Sequence, residues 1–163
     1  MENLLIKLKA GLKIMGIELP EPALHKLIDY LGLLSHWNRA FNLTAIRDSE
    51  EMLSKHLLDS LAVMPYIGEG LVLDVGSGAG LPGIPLAIAM PQNHFVLIDS
   101  NGKKTRFLTQ VKITLGLDNV EVVNQRVEVY SPIRVDHRIY FDAVVARAYA
   151  SSTEILQNTA HLH

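Results

Sequence analysis

A chain of 163 residues that is 48% hydrophobic can bury one sizeable core, and its formal charge of −2 supplies no global attraction to nucleic acid. An RNA or DNA partner therefore has to be met by a local basic patch. The absence of cysteine excludes disulfides, thiolate metal sites and any mechanism that needs a cysteine nucleophile.

The first 70 residues carry a helical period. Apolar residues recur three and four apart as Leu4, Leu5, Leu8 and Leu12, then Leu24, Leu27, Ile28, Leu31 and Leu34, then Met52, Leu53, Leu57 and Leu61. These read as three amphipathic helices. Pro20 and Pro22 separate the first two, and Asp48 or Ser49 can cap a third whose first turn holds Glu50 and Glu51. The N-terminus has scattered lysines and no compact apolar region before a cleavage site, so it does not read as a signal peptide. The longest apolar run, GIPLAIAM, contains a proline and falls far short of the roughly 20 residues needed to cross a bilayer. A soluble cytoplasmic protein without a membrane span or a metal site is expected.

From residue 71 the pattern changes to short apolar runs alternating with helical segments. LVLDV reads as a strand, GIPLAIAM as a helix, HFVLID as a strand, KKTRFLTQVKITLGL as a helix, and VEVVN as a third strand. A fourth strand spans about Tyr140 to Ala146 in YFDAVVARAY, and a last helix starts near Ser151. This order predicts an α/β fold with a parallel, doubly wound sheet, whose ligands bind at the carboxyl ends of the strands.

The first strand runs into LDVGSGAGLPG, where Gly78, Gly80 and Gly83 satisfy the G-x-G-x-x-G spacing of a dinucleotide turn. Glycines allow close backbone approach, and the next helix is expected to present its N-terminus to the ligand. Asp99 closes the second strand, where a carboxylate can accept the hydroxyl hydrogens of a ribose. The spacing fits NAD almost as well as S-adenosylmethionine, and a purely structural turn is a third reading. Asp74 favours S-adenosylmethionine: an acid facing the ligand repels a pyrophosphate but suits the cationic amino group of a methionine moiety. Other phosphate and nucleophile motifs fail. No Lys-Ser/Thr follows the glycines, and Ser77 lacks the glycine spacing of a nucleophile elbow. His56 and Asp59, three apart, read as an ordinary helix contact.

Six segments carry a family resemblance: HWNRAFNLTAIRD, HLLDSLAVMPYI, DVGSGAGLPGIPLAI, LIDSNGKKTRFL, and the RVE and ARAYAS pieces near residues 126 and 146. Together they resemble the bacterial 16S ribosomal RNA guanine-N7 methyltransferases, the RsmG or GidB family. The resemblance implies a Rossmann-like class I S-adenosylmethionine-dependent methyltransferase sheet over residues 71–163, with an N-terminal helical extension over residues 1–70. It implies a guanine of the 530 loop as target, and 16S ribosomal RNA or the small ribosomal subunit as partner. By the same resemblance Gly76 and Leu81 contact the cofactor, Val127 and Glu128 flank its adenosine part and Arg147 lies beside the site, joining Asp74, Gly78, Gly80 and Asp99 from the reading of the loop above. Arg147 is expected to orient RNA or cofactor without shuttling a proton. On their residue types alone, Leu81 and Val127 read rather as core and Arg147 rather as a surface ion-pair partner.

Residues present and absent narrow the chemistry. Amino-group methylases of this fold usually carry an Asn/Asp-Pro-Pro-aromatic motif after the fourth strand, where this chain has Ala146-Arg147-Ala148-Tyr149. Carbon-5 methylation of pyrimidines needs the missing cysteine. Guanine N7 needs neither device, because its lone pair is free in the neutral base. For RNA contact, Lys103, Lys104 and Arg106 form one basic cluster, and Arg39, Arg47 and Lys55 lie in the helical part. Two other classes stay open: a fold of this type that only docks on RNA or protein, and an NAD-dependent dehydrogenase. Sheets of this family have seven strands in the order 3-2-1-4-5-7-6, whereas four are read here. The chain is therefore expected to lack the C-terminal part, leaving its fourth strand as an edge open to pairing with another chain.

Overall fold

The computed structural model describes residues 1–134, 137–147 and 151–163. Ala148 and Tyr149, in the small-residue segment after the fourth strand, lie outside the described residues. Three helical segments come first. α1 (Glu2–Met15) ends at Gly16 in the left-handed conformation, and α2 (Glu21–Phe41) starts behind Pro20 and ends at Asn42, also left-handed. α3 (Ser49–Met52) is capped by Asp48, whose carboxylate accepts from the amides of Glu50 and Glu51 at 3.0 and 2.9 Å.

The third amphipathic helix departs from expectation. After α3 it continues as a π-helical segment, Leu53–Leu58, and closes as α4 (Asp59–Leu61). Leu53, Leu57 and Leu61 are spaced four apart, and on a regular α-helix each such step drifts by about 40° around the axis. The wider π turn corrects that drift and keeps all three buried, with His56 and Ser60 on the same side.

The sheet then forms as predicted. β1 (Leu71–Val75), α5 (Gly83–Ala89), β2 (His94–Asp99), α6 (Gly102–Leu115) and β3 (Val120–Asn124) follow in chain order. After a short antiparallel pair of β4 (Ile133–Arg134) and β5 (His137–Arg138) comes β6 (Ala143–Ala146), and then α7 (Ser152–Thr159), closed at its start by a Ser151–Glu154 capping box. The order is β3-β2-β1-β6, all parallel, which matches the 3-2-1-4 order expected and puts β6 at an edge. β6 is shorter than the expected strand, starting at Ala143. The Phe141 amide donates to the Leu162 carbonyl, and Asp142 exchanges two bonds with Leu71.

Strand alternation divides the apolar residues between two faces. Val72, Phe95, Leu97 and Val120 pack with the helical segments, α5 and α6 in one large cluster that runs from Leu8 to Val120. Leu73, Val75, Val96 and Ile98 face the other way, against Val127, Tyr130, Phe141 and Leu162. The helical part and one sheet face thus share a single core.

The turn between α2 and α3 explains much of the WNRAFNLT motif. Trp37 stacks on Phe41 and tilts onto Phe107, while buried Asn38 accepts from the Thr44 amide at 2.9 Å and donates to the Ile46 carbonyl. Replacing Asn38 with alanine strands these groups, and a loss of about 1–3 kcal/mol of stability is expected in a denaturant titration.

Candidate active site

The glycine loop is built on the ends of β1 and β2. The Ile98 carbonyl accepts from the amides of Gly76 and Ser77 at 2.9 and 3.1 Å, and the Asp99 carboxylate accepts from the Gly78 amide at 2.9 Å. Gly78 has φ +58, which an L side chain rarely adopts, and a Cβ there would stand 3.9 Å from the Lys104 ammonium.

Asp74 departs from its expected direction. It is wholly buried beneath the loop, where one carboxylate oxygen accepts from the Ser77 hydroxyl at 2.7 Å and from the Gly83 amide at 2.9 Å. Gly83 opens α5, so the helix N-terminus expected to meet a ligand meets this carboxylate instead. Glycine is needed at that position: a Cβ would lie 2.5 Å from the Asp74 oxygen. The second oxygen is buried without a hydrogen-bond partner among the described residues. Burial pushes the Asp74 carboxyl up to about 7, against the opposing Ser77 and Gly83 bonds, and the nearby Asp99 charge adds to the rise.

Beside the loop a cleft of about 160 Å³ is lined by Val75, Gly76, Ile98, Asp99, Ser100, Gln125, Arg126, Val127 and Glu128. Four of the cofactor residues expected from the sequence, Gly76, Asp99, Val127 and Glu128, come together here. Asp99 accepts from the Gly78 and Asn101 amides, and a carboxylate with about four lone-pair sites keeps acceptor capacity for a ribose. The cleft is smaller than the roughly 300–1,000 Å³ of complete small-molecule pockets, so it suits the nucleoside part of a larger ligand. Ser100, Gln125 and Arg126 line it too, although none of them is among the expected cofactor residues. Ser100 and Arg126 fall inside the LIDSNGKKTRFL and RVE segments, whereas the signal for Gln125 is positional, since it follows a strand at its carboxyl end.

Leu81, by contrast, does not line the cleft and is buried in the large core. Gly78 and Gly80 shape the loop from outside the cleft lining, and a Cβ on Gly80 would strike Ile84 and Leu108. Arg147 follows β6 on the opposite side of β1 from β2. One guanidinium nitrogen donates to the Lys55 carbonyl at 2.6 Å, and another is buried without a partner among the described residues. This anchor ties the end of the sheet to the π segment. There His56 is buried, with its Nε2 2.9 Å from the Thr44 hydroxyl, and burial, aided by the Arg147 charge, pushes its imidazole below the ordinary range.

The basic candidates are dispersed. Lys103 is exposed on the first turn of α6, whereas Lys104 leans over the glycine loop. Exposed Arg106 lines a groove of about 420 Å³ with Trp37, Thr109 and Gln110. Arg39 and Arg47 share a cleft of about 200 Å³ with Ser35, Asn38 and Met52, and Arg47 donates to Asn42 at 2.8 Å. Lys55 pairs with Glu51 at 3.7 Å.

A glycine loop on a parallel sheet is common to many proteins, so comparison with known chains decides the family. The GidB family profile, described as rRNA small subunit methyltransferase G, matches residues 23–163. The chain belongs to this family. It is 52% identical over 161 residues to the ribosomal RNA small subunit methyltransferase G of Nitrosococcus oceani, covering 99% of this chain and 72% of the relative. The proteins of the same name from Ectopseudomonas mendocina and Hydrogenovibrio crunogenus are 52% and 53% identical, each over 96% of this chain and over 72% and 70% of their own lengths. The parallel sheet with its helical N-terminal region is the Rossmann-like methyltransferase arrangement expected for the family. Neither the fold nor the relatives support self-association through β6. Among the described residues no helix is long and apolar enough to cross a membrane.

Asp74 yields a pH test. The folded chain holds its proton up to about pH 7, whereas the unfolded chain releases it in the ordinary carboxylate range. Between those limits the folded state binds more protons, so this group's contribution to stability falls as pH rises and levels off above about pH 7. Asp74→Asn removes the fall. Its stability relative to wild type, followed by denaturant midpoints, is expected to rise from about pH 5 to about pH 8, and a constant difference would contradict the assignment.

Proposed function

We propose that the chain methylates N7 of a guanine in 16S ribosomal RNA, using S-adenosylmethionine. The relatives' names support the coarser reading, a methyltransferase of small-subunit ribosomal RNA. The finer reading rests on the cleft in which Gly76, Asp99, Val127 and Glu128 meet beside the glycine loop. NAD fits less well. The helix N-terminus that would serve a pyrophosphate is held by Asp74, whose carboxylate would also repel it.

Bound there, the cofactor supplies an electrophilic methyl group on sulfur. The chain's own residues hold the partners. Asp99 would accept from ribose hydroxyls, and Val127 and Glu128 would flank the adenosine part. Neutral guanine would attack the methyl carbon through its N7 lone pair as the carbon–sulfur bond breaks and the neutral thioether leaves. The positive charge passes to the base, so no side chain has to remove a proton first. Catalysis then comes mainly from holding N7 in line with the methyl carbon, a contribution of up to roughly 7–11 kcal/mol in favourable cases. Arg147 orients RNA or cofactor from the end of β6, where its anchor on the Lys55 carbonyl fixes the guanidinium. A cytoplasmic location follows from ribosomal RNA as the substrate.

Incubation with methyl-labelled S-adenosylmethionine and small-subunit ribosomal RNA, followed by nucleoside analysis, is expected to give labelled 7-methylguanosine. Label in another nucleoside, or calorimetric binding of NAD in place of S-adenosylmethionine, would reject the reading. Arg147→Ala is expected to lower turnover at saturating RNA and cofactor by up to about 100-fold, the scale on which misplacement acts. Full turnover would remove Arg147 from the site. Neutralising Lys103 and Lys104 is expected to flatten the slope of log RNA affinity against log salt by roughly 0.7–0.9 for each phosphate left without its lysine.

A further inference from the structure

We infer that Tyr30, in the middle of α2, is a positioning residue for the cofactor loop, so that the helical N-terminal part belongs to the cofactor site. The inference rests on the S-adenosylmethionine reading above. Tyr30 is fully buried, and its phenol donates to the Ala79 carbonyl at 2.7 Å across 49 residues of sequence. Ala79 stands between Gly78 and Gly80, whose φ values of +58 and +92 fix the curve of the loop. The Ala79–Gly80 peptide is thus held from both ends: Tyr30 takes its carbonyl, and its amide donates to the Ser77 carbonyl at 2.8 Å. Ala79 is itself buried, so water has little access to replace the phenol.

The opposite side of the loop supports this role. Asp99 draws in the Gly78 amide from the β2 side, while Asp74 holds Ser77 and Gly83 from below. Tyr30 supplies the remaining restraint from the helical layer. Burial, with the Asp74 charge, holds the phenol far above its usual range, so it stays protonated as a donor throughout the working pH range. Without the bond the Ala79 carbonyl loses its partner and the loop can turn it toward solvent, which misaligns the neighbouring Gly78 and Gly76.

The experiment uses the full chain with Tyr30→Phe, which keeps the ring in the core and removes the hydroxyl alone. Cofactor affinity by calorimetry is expected to weaken roughly tenfold, with KM for S-adenosylmethionine rising in parallel and kcat at saturating cofactor unchanged. Leu27→Val, on the same helix and equally buried, serves as the stability control. It is expected to lower Tm and leave cofactor affinity as in wild type. Wild-type affinity in Tyr30→Phe overturns the inference, and so does an equal loss of affinity in Leu27→Val, which would mark a merely structural role. A wild-type chain that gives no binding heat with S-adenosylmethionine overturns the cofactor reading first and this inference with it.

Discussion

A carboxylate with no exposure has to be matched by donors or carry its proton, and Asp74 sits in that position at the end of the central strand. Its two donors come from the two ends of the same loop, Ser77 at the start and Gly83 at the first turn of α5. One buried group therefore fixes the loop's span and the starting point of the helix, and hence how α5 lies on the sheet. It also fills the place where a dinucleotide fold receives phosphate. The acid that the sequence suggests as a ligand for a cationic group works in the structure as a clasp, and the burial of its second oxygen leaves that clasp under electrostatic tension.

Around the clasp, the sheet and the helical layer are joined through a few peptide units. β2 contributes the Ile98 carbonyl and Asp99, α2 contributes Tyr30, and the end of β6 reaches across to the π segment through Arg147. The shared core makes this possible. Leu27, Leu31 and Leu34 on α2 pack in the same cluster as Ile84, Leu97 and Phe107, so the helices are held rigidly against the sheet. Residues far apart in sequence can then be placed around the loop within hydrogen-bonding tolerance.

The sheet and most helices are legible in the sequence because pattern is a direct imprint of burial: the unbroken apolar run in HFVLID corresponds to a strand buried on both faces, and the three-four spacing in α2 to the one face that is buried. The loop is legible because glycines mark left-handed backbone. What escapes depends on tertiary partners. Tyr30 looks like one more apolar position on α2, and nothing local shows its hydroxyl reaching Ala79. Leu81 sits inside a functional motif yet belongs to the core, because a motif records loop architecture as well as ligand contact. Asp142 looks like one more strand residue, and nothing local shows its carboxylate accepting from the Leu71 amide. The direction of Asp74 is hidden for a related reason: sequence gives a residue's place in the strand, whereas the turn that follows determines which side of the loop it meets.

The π segment has a consequence for the tolerance of the chain to length changes. A π turn carries more residues than an α turn, so Leu53–Leu58 holds slack that a regular helix would not. Loss of one residue there could be absorbed by tightening the turn, and the flanking helical stretches would keep nearly the same rotational phase. What would not survive is the display inside the turn, where His56 faces Thr44 and the Lys55 carbonyl faces Arg147. The helix would remain a sound strut for the core, yet the latch that joins it to the end of the sheet would be gone.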